Sequence, residues 1–201
     1  PALGLTRPRG AAVALAVAGV LPAGIVIDQV TFGLTRLAPS AFDTGALAAF
    51  ADLFAQSGPA AFALAAAAVT IGPAIGEELF FRGFVLRALR SDLPAAAAVA
   101  ISSLLFGLLH LDPLQGAGAA LVGGYLGYVA LATGSVWPAA AGHAANNLVC
   151  SLAARLDPKG AGVAFERGHP WTLVALAAAA LALVVFRLEL SRRRTSARGP
   201  R

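Results

Sequence analysis

The feature that most constrains this chain is a series of long stretches that carry no charged side chain. They cover residues 10–27, 58–76, 93–111, 113–154 and 170–186. A helix needs roughly 20 residues to cross the hydrocarbon core of a bilayer, and a few fewer can serve. Because an open sheet cannot satisfy its backbone groups in lipid, each stretch must form helix. The chain is therefore predicted to be all-α, a polytopic transmembrane helical bundle of about six to seven membrane helices.

The organisation of the chain follows from these stretches. The predicted spans are 11–31, 60–90, 94–111, 115–133, 136–154 and 170–187. The second is too long for one simple crossing, so Pro73 should kink it or split it into two helices. Residues 43–57 are interpreted as an interfacial amphipathic segment, with a plain loop as the alternative. No linker or repeat divides the chain, which predicts one transmembrane domain over 1–190 and a disordered, basic cytoplasmic tail over 191–201.

Composition excludes most other classes of protein. Hydrophobic residues make up 58% of the chain and charged residues only 12%, whereas about a quarter of an ordinary soluble domain is charged. The single cysteine, Cys150, rules out a disulfide framework and a cysteine-rich zinc site. Aromatic residues are 7% of the chain and offer no stacking platform, so no nucleic-acid partner is expected.

The basic excess lies at the two ends of the chain. Six of the 15 Lys and Arg residues lie within 187–201, and Arg7 and Arg9 precede the first span. By the positive-inside rule both termini are expected in the cytoplasm, which requires an even number of crossings and fits six spans. The composition is rich in Ala and Arg with one lysine, Lys159, which is typical of a high-GC bacterium. We therefore expect a multi-pass protein of the bacterial plasma membrane.

Three charged side chains interrupt the second span, namely Glu77, Glu78 and Arg82. Each charge near the middle of the bilayer costs at least about 2.5 kcal/mol, so these side chains must face protein or water. Glu78 and Arg82 are spaced i, i+4 with the acid first, which favours a structural ion pair within the helix. Glu77 lies about 100° round the helix and is left without that partner. In the alternative interpretation of these three side chains, the ion pair has only a structural role and Glu77 lies at an interface.

Two further predicted helices carry isolated polar side chains. The i, i+4 spacing places Phe106 and His110 on one helical face, and it does the same for His143 and Asn147. Taken singly, His110 could be an interface residue, and the pair on the later helix could join two helices by a hydrogen bond.

The depth of these residues suggests that they meet. Glu77 and His110 lie at similar distances from a turn near Pro94, each about 24–26 Å along antiparallel helices. Asn147 lies about 20 Å from the turn near Gly134 by the same rise per residue. Small residues on the intervening spans would allow close helix packing. These residues are Gly116, Gly118, Gly123, Gly124 and Gly127.

In their order, the three motifs resemble those of the CPBP family of intramembrane proteases. This family includes CAAX prenyl proteases of the Ras-converting-enzyme type and bacterial Abi proteins. The motifs stand in this chain as Glu77-Glu78-x-x-x-Arg82, Phe106-x-x-x-His110 and His143-x-x-x-Asn147. The resemblance covers roughly residues 70–150 and implies an endopeptidase acting on a membrane-associated protein or peptide.

The resemblance also implies roles for single residues. Glu77 and His110 would activate the attacking water, while His143 and Asn147 would stabilise the oxyanion. Such a set supplies the base and the donors that amide hydrolysis needs. The sequence requires no cofactor, but Glu77, His110 and His143 would also suit a divalent metal such as zinc. A metal-free mechanism and a metal-dependent one both stay open, with the metal-free one favoured.

A covalent nucleophile is not expected. Ser102 and Ser103 lie about two helical turns from His110, and Cys150 lies among aliphatic residues one turn beyond Asn147.

Two interpretations from other functional classes also stay open. The first is a non-catalytic membrane scaffold or bacteriocin-immunity protein of the same fold. The second is a small transporter or proton-relay protein, which intramembrane acids and histidines would also serve. No inverted repeat or pair of broken helices supports transport. A scaffold would have no need for all four polar residues, so the protease interpretation is preferred.

Overall fold

A computed structural model describes residues 3–43, 45–156 and 168–196. Every regular element in these ranges is helical, which confirms the predicted all-α class. The elements are α1 (Gly10–Ala18), α2 (Val20–Leu37), α3 (Gly45–Gln56), α4 (Pro59–Glu78), a π-helical segment (Leu79–Val85), α5 (Leu86–Asp92), α6 (Ala95–Leu108), α7 (Pro113–Thr133), α8 (Trp137–Leu156) and α9 (Trp171–Ser196).

Within the described ranges, four helical stretches are long and apolar enough to cross a membrane. They are Gly10–Leu37, Pro59–Asp92, Pro113–Thr133 and Trp171–Arg193. The other two predicted spans differ from this pattern. With 14 residues, α6 is only about 21 Å long, which is less than the roughly 30 Å of the hydrocarbon core. The 20 residues of α8 include the polar His143, Asn146 and Asn147. The architecture is that of a helical membrane bundle.

The first span is longer than predicted and is interrupted at Gly19. It extends to Leu37 rather than to residue 31, with a turn between α1 and α2. The Tyr125 hydroxyl donates to the Ala16 carbonyl over 2.7 Å at this turn. A Cβ atom at Gly19 would collide with the same hydroxyl, so the small residue is needed for this contact.

The second span forms one continuous helical stretch, so residues 60–90 are not split into two helices. Pro73 lies inside α4 and does not end it. The irregular part is instead the π-helical segment, which follows directly after Glu77 and Glu78. A π turn spaces its hydrogen bonds one residue further apart than an α turn and so changes which side chains face inward.

Helix α3 lies within the segment 43–57 that was expected to be amphipathic. Phe54 is buried in a cluster with Ala51 from the same helix, Ala66 of α4 and Ala154 of α8. Leu53 of the same helix is exposed. The helix therefore excludes the plain-loop alternative for residues 45–56.

Helix α6 ends early because the chain turns before α7. Leu111 adopts a positive φ of 59° in this turn. The Asp112 carboxylate caps α7 by accepting a hydrogen bond from the Gln115 N–H over 2.7 Å. Pro113 occupies the first position of α7, where a missing N–H costs nothing. The turn leaves His110 just beyond the end of α6.

The core of the bundle surrounds α7. Its buried residues Leu126, Val129 and Ala130 pack with Leu86 of α5 and Ala98 of α6. Glycines allow this packing, as their spacing suggested. A Cβ atom at Gly116 would lie 2.8 Å from the Gly107 carbonyl oxygen of α6, and one at Gly127 would lie 3.2 Å from Val99. Around Gly124, by contrast, there is open space.

The N-terminal segment and the α7–α8 turn lie at the same end of the bundle. The Val136 N–H donates to the Gly4 carbonyl over 3.0 Å, and the Thr6 hydroxyl donates to the Gly134 carbonyl over 3.2 Å. Arg87, near the end of the second span, donates to the same Gly134 carbonyl over 3.1 Å. These contacts bring three separate parts of the chain together.

The last helix continues further than the sequence interpretation allowed. Helix α9 runs to Ser196, so residues 191–196 of the tail predicted over 191–201 are helical. Glu189 stabilises this final part through ion pairs with Arg192 at 3.0 Å and Arg193 at 3.1 Å. Their i, i+3 and i, i+4 spacings are those that support a helix. Residues 197–201 lie outside the described part of the chain.

Candidate active site

The centre of the candidate site is a fully buried ion pair. Arg82 Nη1 lies 2.8 Å from Glu78 Oε1, and the two side chains are 1% and 0% exposed. Arg82 also donates to the Gly123 carbonyl of α7 over 3.1 Å. Its guanidinium carbon lies 4.5 Å from the centre of the Phe106 ring of α6. The arginine therefore joins the π-helical segment to both neighbouring helices.

Close packing around Arg82 requires a glycine on α7. A Cβ atom at Gly123 would lie 3.0 Å from Arg82 Nη2 and 3.2 Å from the Phe106 ring. Both distances are too short for an ordinary contact, so a larger residue would displace the guanidinium or the ring.

Glu78 also contacts a histidine on α8. Its Oε1 atom lies 3.0 Å from Nδ1 of His143, whose side chain is 5% exposed. This oxygen thus accepts from both His143 and Arg82. Glu78 Oε2 is buried and has no hydrogen-bond partner among the described residues. The sequence interpretation assigned Glu78 to the ion pair alone and missed its contact with His143.

Glu77 approaches the opposite edge of the same imidazole. Its Oε2 atom lies 3.9 Å from Nε2 of His143, and its side chain is 38% exposed. The distance is too long for a direct hydrogen bond and leaves each group able to share a water molecule. The two adjacent glutamates therefore have different environments: Glu78 is sealed inside the bundle, and Glu77 is partly exposed at its surface.

His110 joins this group through the Phe106 ring. Its ring centre lies 5.2 Å from that of Phe106, and the His143 ring centre lies 5.7 Å from Phe106 on an edge-to-face contact. Nδ1 of His110 lies 3.1 Å from the Phe106 carbonyl oxygen, to which it donates. With its proton on Nδ1, the imidazole keeps Nε2 as an acceptor. The sequence placed Phe106 beside His110 but did not reveal its contact with His143.

Asn147 lies one turn after His143 on α8. Its Nδ2 atom donates to the Val69 carbonyl of α4 over 2.9 Å. Its Oδ1 atom accepts from Asn146 Nδ2 over 3.3 Å. The first contact joins two helices, as the alternative interpretation of this polar pair allowed, but its partner depends on how α8 faces α4 and could not be expected from the sequence.

The serines on α6 are engaged in structural hydrogen bonds. Ser102 donates to the Phe81 carbonyl of the π-helical segment over 3.1 Å. Ser103 donates to the Val99 carbonyl over 2.7 Å. Neither contact gives a serine a histidine partner that would activate it as a nucleophile.

The candidate metal ligands do not fit a zinc site of three side chains. Within the described ranges, no three His, Cys, Asp or Glu side chains form a group that could hold a metal ion. The Nδ1 atoms of His110 and His143 are occupied by the Phe106 carbonyl and by Glu78. In the part of the chain that the structure describes, Glu77 forms an ion-pair contact with His143 and none with His110.

A comparison with known families identifies the segment that contains this site. Residues 59–149 match the family described as Rce1-like, Type II CAAX prenyl endopeptidase. Comparisons with curated proteins and with solved structures gave no match. The matched segment begins with α4 and ends within α8, so it includes all three motifs. Residues 59–149 are thus similar to the Rce1-like family, and the family resemblance predicted from the three motifs is confirmed over this segment.

Proposed function

We propose that the protein is an intramembrane endopeptidase that hydrolyses a peptide bond of a membrane-associated protein or peptide. The observation that carries this proposal is the position of His143 between two glutamates, 3.0 Å from Glu78 and 3.9 Å from Glu77. The cost of charge within membrane helices makes such a cluster a mark of function. The Rce1-like match over the same helices gives the class of reaction.

Glu77 and His110 activate the attacking water. We assign the water to Glu77 because its side chain is 38% exposed, whereas Glu78 is fully buried and already accepts two hydrogen bonds. Glu77 takes a proton from the water as the oxygen attacks the peptide carbonyl carbon. The free Nε2 atom of His110 accepts from the same water and orients it. A positioned base of this kind contributes about 10²–10⁴-fold in rate.

His143 and Asn147 stabilise the oxyanion. We assign a proton to each nitrogen of His143, so that Nδ1 donates to Glu78 and Nε2 donates to the developing oxyanion. The charges of the imidazolium and Arg82 then balance those of Glu77 and Glu78. The Asn147 amide supplies a second N–H donor. Donors aimed at the negative charge of the intermediate are worth about 10²–10³-fold each.

The reaction needs no group beyond water and the chain's own side chains. When the tetrahedral intermediate collapses, the C–N bond breaks and Glu77 returns its proton to the leaving amine. The products are a carboxylic acid and an amine, and the site is restored. We propose a metal-free reaction because the described residues offer no three-ligand group.

We also propose that the protein lies in a bacterial plasma membrane with both termini in the cytoplasm. One cavity is lined by Arg7 and Arg9 of the N-terminal segment, Thr133 at the end of α7, and Arg192 of α9. The two ends of the described chain therefore lie on the same side of the bundle. This placement supports an even number of crossings with the arginines facing the cytoplasm.

Comparative proteomics of peptide products tests the proposed activity. Membranes from cells that carry the wild type should contain cleavage products that are missing when Glu77→Gln is expressed at the same level. Asp92→Asn, which changes an exposed carboxylate at the end of α5, is the matched control and should give the wild-type products. A biological phenotype that survives Glu77→Gln at full strength would instead support a scaffold or immunity protein.

A further inference from the structure

The contact between Asn147 and the Val69 carbonyl has a cause within α4. In an α-helix each carbonyl accepts from the N–H four residues later. The residue four positions after Val69 is Pro73, which has no N–H. Pro73 therefore leaves the Val69 carbonyl without its normal donor. The Asn147 side chain of the neighbouring helix donates to this same oxygen over 2.9 Å.

This hydrogen bond matters because the carbonyl lies between two packed helices. An unpaired backbone carbonyl away from water is unfavourable by about as much as a lost hydrogen bond. The Asn147 amide relieves this cost and joins α4 to α8 about two helical turns before Glu77 and Glu78.

The carboxamide of Asn147 is held at both ends. Its Oδ1 atom accepts from Asn146, and its Nδ2 atom donates to Val69. An amide nitrogen carries two N–H groups. One N–H is used by Val69, and the other makes no hydrogen bond within the described residues. The direction of this second N–H is set by the bond that the first one makes.

We propose that Pro73 is a positioning residue for oxyanion stabilisation. By removing one helical N–H, it reserves the Val69 carbonyl for Asn147 and so aims the second amide N–H at the reacting carbonyl. The catalytic part of this inference rests on the proposed endopeptidase function. The hydrogen-bond part does not, because it concerns only the pairing of three residues.

A double-mutant cycle on Pro73 and Asn147 tests the hydrogen bond to the Val69 carbonyl. Its readout is thermal unfolding in detergent, which needs no substrate. In Pro73→Ala the new N–H pairs with the Val69 carbonyl inside α4. Asn147→Ala should therefore lower Tm by about 2–4 °C in the wild-type background, the shift that one lost hydrogen bond gives in a chain of this size. In the Pro73→Ala background the same substitution should lower Tm by much less.

Pro59→Ala provides the matched control. Pro59 is the first residue of the same helix, where no intrahelical donor is lost. Asn147→Ala should thus lower Tm in the Pro59→Ala background as much as in the wild type. Pro73→Leu restores the same N–H with a different side chain, so it serves as a second variant if Pro73→Ala fails to fold. An equal loss of Tm in the Pro73 backgrounds would overturn the inference.

Steady-state proteolysis tests the positioning role. Pro73→Ala should lower kcat with KM unchanged, by up to the roughly 10²–10³-fold that one oxyanion donor contributes. It should have no further effect in the Asn147→Ala background. A wild-type kcat, or a loss that multiplies with that of Asn147→Ala, would overturn the positioning role. If the wild type shows no proteolysis, the proposed function fails, and the unfolding cycle still decides the role of Pro73.

Discussion

Glu78 of α4 accepts a hydrogen bond from His143 of α8, with 3.0 Å between Oε1 and Nδ1. The same oxygen accepts from Arg82 at 2.8 Å. A carboxylate that is already fixed by an arginine is a rigid acceptor, so it holds the imidazole in one orientation. The other edge of the ring then faces Glu77. The buried ion pair of the motif helix is thus connected to the side chains proposed for catalysis.

The first prediction concerns the loss of Arg82. Arg82→Ala removes the arginine partner of the buried Glu78 carboxylate, and breaking a buried pair in this way costs about 3–5 kcal/mol. The variant should be scarce in membranes and unfold at lower temperature. Arg36→Ala, which removes an exposed arginine on α2, is the control and should accumulate normally. Wild-type amounts of folded Arg82→Ala would show that the ion pair does not hold the bundle together.

The second prediction separates the two adjacent glutamates. Glu77→Gln keeps the shape of a half-exposed side chain, so the protein should fold normally while proteolysis falls by about 10²–10⁴-fold. Glu78→Gln removes the negative charge that pairs with Arg82, so its loss of activity should come with a lower Tm. Rates and Tm measured on both variants test this difference. A lower Tm for Glu77→Gln, or an unchanged one for Glu78→Gln, would reverse the assignment.

Activity should also show that Glu77 and Asn147 act on one transition state. Asn147→Ala removes an oxyanion donor and should lower kcat by about 10²–10³-fold. The double variant Glu77→Gln/Asn147→Ala should lose less than the product of the two single losses, because residues that act as a unit are not additive. Fully multiplicative losses would indicate that the two side chains act in separate steps.

The sequence alone predicted which helices carry the polar residues but not how the helices face one another. An i, i+4 spacing identifies neighbours on one helix, such as Glu78 and Arg82. It says nothing about the rotation that brings His143 against Glu78. The π-helical segment adds to this difficulty, since it alters the rotation of every residue after Glu78.

Other differences between the predicted and the observed structure had a signal in the sequence. Asp112 followed by Pro113 is a pattern typical of a helix start, and it marks the beginning of α7. This pattern explains why the span predicted over 94–111 ends at residue 108. Pro73 likewise indicated an open carbonyl at Val69, although only the fold shows which donor reaches it.

The fourth prediction concerns metal removal. Because the described residues provide no three-ligand group, treatment with 1,10-phenanthroline should leave kcat and Tm unchanged. Elemental analysis of the purified protein should find less than one zinc per chain. The prediction fails if the chelator abolishes proteolysis and added zinc restores it, since a catalytic zinc would then have to be held in a different arrangement of the site.

The last prediction uses two adjacent glycines of α7. A Cβ atom at Gly123 would lie 3.0 Å from Arg82 Nη2, whereas one at Gly124 would meet nothing within 4 Å. Gly123→Ala should therefore displace the guanidinium or the Phe106 ring and cost about 1–3 kcal/mol of stability. Gly124→Ala should be neutral or stabilise by about 0.5–1 kcal/mol, because alanine is the better helix former.

Phe106 also contacts both His110 and His143, so Gly123→Ala should lower kcat as well as Tm. Thermal unfolding and proteolysis of the two variants, compared in the same detergent, give the readout. Equal behaviour of the two would mean that Arg82 has room to move and does not fix the positions of the histidines.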